Sequence, residues 1–363
     1  MNHSKQNNNL KQKIMTVYKN TILNIAKNIR ILVLVCFAFT LVFTSCANDD
    51  ESTPILAEPI VYAVGQNVAK IWKDSVATNL TDGGQYAGAS SVFVNENDVY
   101  VAGYESNVNG ISVAKIWKNG IVTNLSDGSQ RTRAQSVFVD GNDVYLAGYE
   151  HNNNKNVAKI WKNGVVTNLT DGSGLAGAFS VFVNGSDVYV AGYERNGNNK
   201  NVAKIWKEGV ATNLTDGTKD AVARSVFVNG NDIYVVGKEG GVAKIWKNGL
   251  ATDLTAGSHR AIAYSVYVNG NDVYVAGYEQ NVADDGEKVA KIWKNGVATN
   301  LSDGTNEAAA YSVFVNGNDV YVGGYEWSGN VTEGRIATIW KNGVATALTD
   351  GTQNAVVNAV FVK

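Results

Sequence analysis

The residues of this 363-residue chain that could do chemistry are acids, a few histidines and a set of aromatics, most of them at repeated positions. A glutamate recurs at six equivalent places: Glu105, Glu150, Glu194, Glu239, Glu279 and Glu326. Two carboxylates hydrolyse glycosides when one is held protonated and the other ionised, which needs a unique, asymmetric setting. Six copies of one acid do not supply it. Each is read instead as partner to a lysine on the next strand, a surface ion pair of small value. Acids outside the repeat, Asp220, Asp284, Asp285, Glu287, Glu307 and Glu333, carry no spacing that marks two of them as a pair. His3, His151 and His259 are the only histidines, and none stands in a zinc or triad pattern. The Asn-Gly-Asn-Asp and Leu-Thr-Asp-Gly segments are rich in oxygen but lack the alternating acids and closing Glu of a calcium loop; capping of turn backbone accounts for them. No metal and no cofactor is expected.

Recognition is the better candidate. One variable position carries Ser90, Gln135, Phe179, Arg224, Tyr264, Tyr311 and Asn358 in successive copies. Phe179, Arg224, Tyr264 and Tyr311 are consecutive, and aromatics with an arginine suit stacking on sugar rings or gripping a peptide. His259 and Arg260, in a connection between copies, and Trp327, in an insertion, complete the candidate ligand-binding set. Variation in such loops also follows from relaxed constraint alone.

The elements that must position these residues are copies of one unit, seen most clearly from Ser265 to Tyr311. Four short apolar runs, SVYV, DVYVAGY, VAKIW and VATNL, read as β-strands, and Asn-Gly pairs supply the positive φ of tight hairpins. The first three do not alternate between apolar and polar residues, so each sheet must be covered on both faces by sheets like itself. A four-stranded repeat of this length predicts a propeller blade. Trp72, Trp117, Trp161, Trp206, Trp246, Trp293 and Trp340 count seven blades, each Trp a wedge between neighbours. The chain enters on a second-strand sequence, 60–65, and leaves on a first-strand sequence, 359–362. The predicted fold is therefore all-β, a seven-bladed β-propeller closed by one C-terminal and three N-terminal strands, with no open sheet edge.

All insertions fall between the second and third strands: Ser106 to Ser112, His151 to Asn156, Arg195 to Asn201, Gly240-Gly241, Gln280 to Lys288 and Trp327 to Arg335. In an up-and-down blade this loop shares an end of the ring with the inter-blade connection, so both variable regions are expected on one face.

Residues 1–45 hold six basic residues, no acid and the apolar run Ile31 to Phe43, which reads as a secretion signal; Met15 is an alternative start to Met1. The segment Phe43-Thr44-Ser45-Cys46 resembles the lipobox of bacterial lipoproteins, with Phe43 where Leu is usual. The resemblance implies a lipid on Cys46 and a membrane anchored through it; the alternative is an ordinary signal peptide cleaved nearby. Asn48-Asp49-Asp50-Glu51 resembles the export signal of Bacteroidota surface lipoproteins, or is a solvated tether. Residues 46–59 are read as a tether stiffened by Pro54 and Pro59, and 60–363 as the propeller. Cys36 lies within the signal, so no internal disulfide is expected. Taking the six leader cations from 31 leaves 25 against 33 acids, a charge near −8 that argues against a nucleic-acid partner. The second strand DVYVGGYE, 319–326, resembles that of kelch repeats. The repeats as a whole, with their IWKNG and NLTDG segments, resemble uncharacterised propeller lipoproteins of Bacteroidota, implying fold and compartment. The expected protein is a monomer on the outer membrane or cell surface that binds a glycan or protein without catalysing a reaction. The alternatives are a scaffold subunit of an envelope complex and a glycoside hydrolase.

Overall fold

A computed structural model describes residues 59–65, 68–152, 155–257, 260–280, 286–329 and 334–363. Every regular element among them is a β-strand, and the strands form seven four-stranded antiparallel sheets. Blades 1 to 6 span 87–124, 132–168, 176–213, 221–253, 261–300 and 308–347 in sequence order, each a plain meander. The seventh takes its first strand from the C-terminus, Val357–Val362, and its other three from the N-terminus, Val61–Gly65, Lys70–Lys73 and Val76–Asn79. Val61 faces Val362 and Val64 faces Ala359 across that junction, while Ile60 and Lys363 exchange two backbone hydrogen bonds of 2.9 and 3.0 Å.

Burial along each blade follows the pattern of the sequence. The first three strands bury most of their apolar residues, and the fourth is exposed throughout. All seven repeated tryptophans are fully buried. Trp161 of blade 2 packs with Tyr100, Ala102 and Ala114 of blade 1, and its indole N–H donates to the Leu125 carbonyl of that blade at 3.2 Å. Trp72 of the closing blade packs on Ala337 and Ile339 of blade 6. The tryptophan is thus the wedge between blades, and truncating one to Ala costs about 3–5 kcal/mol.

The hairpins at one end of the ring are held by side chains of their own turns. Asn119 and Gly120 take φ of 51° and 81°, the two positive values of a type I′ turn. The Asn119 amide accepts from the Val99 N–H at 2.8 Å and donates to Asp98 at 2.7 Å, while Lys118 pairs with the same carboxylate at 2.7 Å. The first-to-second and third-to-fourth hairpins of a blade are thereby tied together.

The expected Glu–Lys pairs form in five blades, including Lys115–Glu105 at 2.9 Å and Lys204–Glu194 at 3.0 Å. They are not surface pairs. The lysines are only 10–16% exposed, because the third strand is covered by the next blade. In blade 6 Thr338 replaces the lysine, and burial, with Asp303 nearby, pushes the Glu326 carboxyl up.

Two belts line the axis. The serine hydroxyl of each first strand accepts the backbone N–H of the next blade's first strand, as Ser265 does from Val313 at 3.2 Å; this recurs at six of the seven junctions. Two residues further along, Phe93, Phe138, Phe182, Phe227, Tyr267, Phe314 and Phe361 form an unbroken collar. Each ring centroid lies 4.7–5.1 Å from its neighbours on both sides.

Candidate functional site

Every first strand slips register by one residue against its second strand. In blade 5 the pairing passes from Ala263–Gly277 to Ser265–Ala276 and leaves Tyr264 without a partner. Such a bulge re-aims a side chain. The residues left over around the ring are Ser90, Gln135, Phe179, Arg224, Tyr264, Tyr311 and Asn358. These seven, with Arg335 and Val356, line one cavity of about 360 Å³ at the axis. Its volume lies near the lower end of small-ligand sites. The collar lies three residues on, roughly 10 Å along the strand, so the channel narrows beneath the cavity.

Loops surround this cavity's end of the ring as expected. The Ser106 N–H donates to Tyr86 of the preceding connection, and Asn107 of the same insertion donates to the Gly128 carbonyl of the connection that follows blade 1. Asn196 of blade 3 repeats the second contact with Gly217.

The aromatics at the mouth are not open platforms. Arg224 lies over the Phe179 ring at 4.4 Å and near Tyr264 at 5.6 Å. The Phe179 ring also stacks on Tyr193 at 5.8 Å, and Tyr264 meets Tyr311 edge-on at 4.9 Å. The rings therefore hold the cations and one another. Beneath these contacts the Nε of Arg224 and of Arg335 are buried without a hydrogen-bond partner.

Arg335 was not expected here, since in sequence it stands only as the end of an insertion. It opens the third strand of blade 6, where Asn354 accepts its backbone N–H at 3.0 Å, stacks over Tyr325 at 4.5 Å and reaches Glu307 at 3.2 Å. Glu307 also pairs with Lys288 at 2.9 Å and accepts from the Tyr325 hydroxyl. Burial alone raises the Glu307 carboxyl, but the Tyr325 hydroxyl, Lys288 and Arg335 outweigh it and hold it below its ordinary value. Burial pushes the mouth tyrosines up, Tyr278 to about 12 and Tyr264, Tyr311 and Tyr325 in the same direction, so all are neutral donors at neutral pH. Glu307 and Glu326 do not face each other. Glu307 is bonded to Tyr325, and successive strand residues point to opposite faces. No acid lines the axial cavity, and no three described His, Cys, Asp or Glu side chains gather as a metal site needs.

Arg260 is exposed and lines a different cavity. Trp327 ends the second strand of blade 6 opposite Arg335 and does not line the axial cavity. His259, Cys46, Asp284, Asp285 and Glu333 lie outside the described residues. Sequence reasoning also passed over Lys238, Glu307 as a mouth group, and the collar. The signal for the first was a Lys where other copies have Tyr; for the collar it was the aromatic that follows Ser-Val in every full copy.

No family model matches the sequence, and no curated protein does. Among solved structures the chain is similar to one from a study of two prolyl endopeptidases, at 12% identity and a TM-score of 0.50, over 82% of this chain and 47% of that one. It is also similar to Pyrococcus horikoshii acylaminoacyl peptidase at 11% identity and a TM-score of 0.36, over 73% of this chain and 53% of that one. The chain spans about half the length of these matched chains. Likeness at such identity speaks of fold alone, and the fold, by its own strand pairing, is a seven-bladed β-propeller.

Proposed function

We propose that this chain is a lipid-anchored binding protein of the bacterial envelope that holds a glycan at the loop end of its propeller and does not itself catalyse a reaction. One observation carries the reading: the bulge residues converge on a single cavity, and they differ from copy to copy. The residues beside them hardly differ. Ser follows the bulge in six copies and Ala in the seventh, and Ala precedes it in six and Val in the seventh, whereas the bulge itself takes six residue types. Packing sets one type at a repeated position; a ligand of no symmetry asks for several. The anchor rests on Cys46 and its lipobox-like context.

The test is binding of the mature chain to a glycan array. A Tyr264→Ala, Tyr311→Ala double variant is expected to lose at least about tenfold in affinity, since it removes two aromatic walls of the cavity. Unchanged binding would take the cavity out of the site. A stoichiometric membrane protein recovered with the chain, in the absence of any glycan signal, would favour the scaffold reading instead. For the anchor, Cys46→Ser is expected to abolish incorporation of a labelled fatty acid and release the protein from membranes; persistent labelling would reject it.

A further inference from the structure

Blade 4 departs from its neighbours at three places that meet in space. Its second strand, Asp232–Glu239, carries Lys238 where other blades have Tyr104, Tyr149, Tyr193, Tyr278 and Tyr325. Its second-to-third connection is only Gly240-Gly241 between short strands, while blade 2 extends the strands of that hairpin and blades 1, 3, 5 and 6 insert longer connections. Its bulge residue is Arg224. Without an insertion to cover it, the ground between blades 4 and 5 opens as a cavity of about 680 Å³ lined by Lys200, Lys219, Asp220, Lys238, Arg260 and Tyr278, among others. A Cβ at Gly241 would meet nothing within 4 Å, so the floor by the short turn is open.

The charges here do not cancel. Asp220 is the lining acid, and it is engaged by Lys200 at 3.8 Å and by the Asn201 N–H at 3.1 Å. Among the described residues Lys219, Lys238 and Arg260 form no ion pair. Burial lowers the Lys238 ammonium, and Arg224 and then Arg260 push it further down against a partial pull from Asp220. Lys238 therefore feels both the arginine of the axial cavity and that of the lateral one. A cluster of like charges, Lys238 half-buried with Lys219 and Arg260 exposed beside it, in a chain of net negative charge, is stabilised by an anion placed among them.

We infer that the blade 4–5 cavity is an oxyanion site for an acidic saccharide, its carboxylate or sulfate group held by Lys238 and Arg260 and its ring against Tyr278. This deepens the glycan reading given above and rests on it for the ligand class. The cavity is within the size range of small-molecule sites, and its one-sided charge selects an acidic sugar over a neutral one. Lys238 offers a point charge that suits an oxyanion on a hydrated, rotating sugar substituent, and the Arg260 guanidinium adds a planar fork that fits a carboxylate or sulfate.

The test uses the mature chain with a trigalacturonate, a sulfated oligosaccharide of similar length, a neutral oligogalactoside and inorganic phosphate, measured by calorimetry at two salt concentrations. Lys238→Tyr restores the residue that neighbouring blades already fold with, so loss of folding does not confuse the result; Arg260→Gln is the second variant. One of the two anionic oligosaccharides is expected to bind, to weaken at least tenfold in each variant and to weaken with salt, while the neutral sugar does not depend on Lys238. Which of the two binds tells carboxylate from sulfate ester. Binding of free phosphate as tight as that of either oligosaccharide, or acidic-sugar binding indifferent to both variants, overturns the proposal. Neutral-glycan binding lost in the Tyr264, Tyr311 variant but not in Lys238→Tyr, with no acidic sugar bound, leaves the axial reading standing and this one fallen. Acidic-sugar binding lost in Lys238→Tyr but kept in the Tyr264, Tyr311 variant supports the lateral site and removes the axial one.

Discussion

Gly277 fixes where Tyr264 points. A Cβ there would sit 2.1 Å from the Ile262 carbonyl oxygen, because the bulge drives the first strand's backbone against the second strand at that level. Gly237 meets Val222 in the same way at 1.9 Å, beneath Arg224. Gly277→Ala is therefore expected to destabilise the fold by about 1–3 kcal/mol, read as a lower urea midpoint. It should also alter Tyr264 fluorescence or reactivity more than that of distant tyrosines. An unchanged midpoint would mean that the bulge is not set by this contact. The repeated glycine could be read off the chain, but its purpose could not, since a glycine inside a strand pattern marks a bulge or a close approach without saying which residue is turned.

Between elements, the serine belt does what a shared sheet would otherwise do: it satisfies inner-strand N–H groups that face the preceding blade. The junction from blade 7 to blade 1 has Ala359 in place of the serine, and Asn358 reaches across to the Ala89 carbonyl at 2.8 Å instead. Ala359→Ser is thus expected to add a partner for the Val92 N–H and to raise stability by about 0.5–1.5 kcal/mol in urea unfolding. No gain would show that Asn358 already closes that seam fully. At the hairpin end, Asp98, Asp143, Asp187, Asp232, Asp272 and Asp319 are held below the ordinary 3.8, first by hydrogen bonds from their lysines. A lowered folded pKa gives stability that is fully present above 3.8 and is lost as pH falls through the lowered value. Glu326, raised, acts in the opposite sense, one group against these six and Glu307. The urea midpoint is expected to stay level from neutral pH to about pH 5 and to fall steeply below about pH 4. A midpoint that held level at pH 3 would refute the contribution of these pairs.

At the scale of the molecule, the ring depends on one strand. Deleting 357–363 would expose the second strand Val61–Gly65 and remove the Val360 N–H that the Ser312 hydroxyl accepts. Because each blade is covered only by its neighbours, an open ring leaves two unprotected faces as well as an edge. The truncated chain is expected to be aggregated or unfolded by size-exclusion chromatography and circular dichroism; a soluble monomer with the parent thermal midpoint would contradict closure by the termini. Blade count, strand order, turn type, the closing strand and the face that carries the variable loops were all legible in the chain. Each follows from a period that the sequence repeats seven times, and repetition turns a weak local signal into a firm one. What the chain did not disclose is what happens at single copies. That Arg335 enters the axial cavity, that Phe179 and Tyr264 spend their faces on Arg224, and that Lys238 joins Arg260 in an uncovered pocket depend on which residues of different blades are brought within a few ångströms. The sequence by itself determined the scaffold, because local patterning dictates sheets that must cover one another; only the tertiary structure decided the site, because its charges and cavities arise between blades.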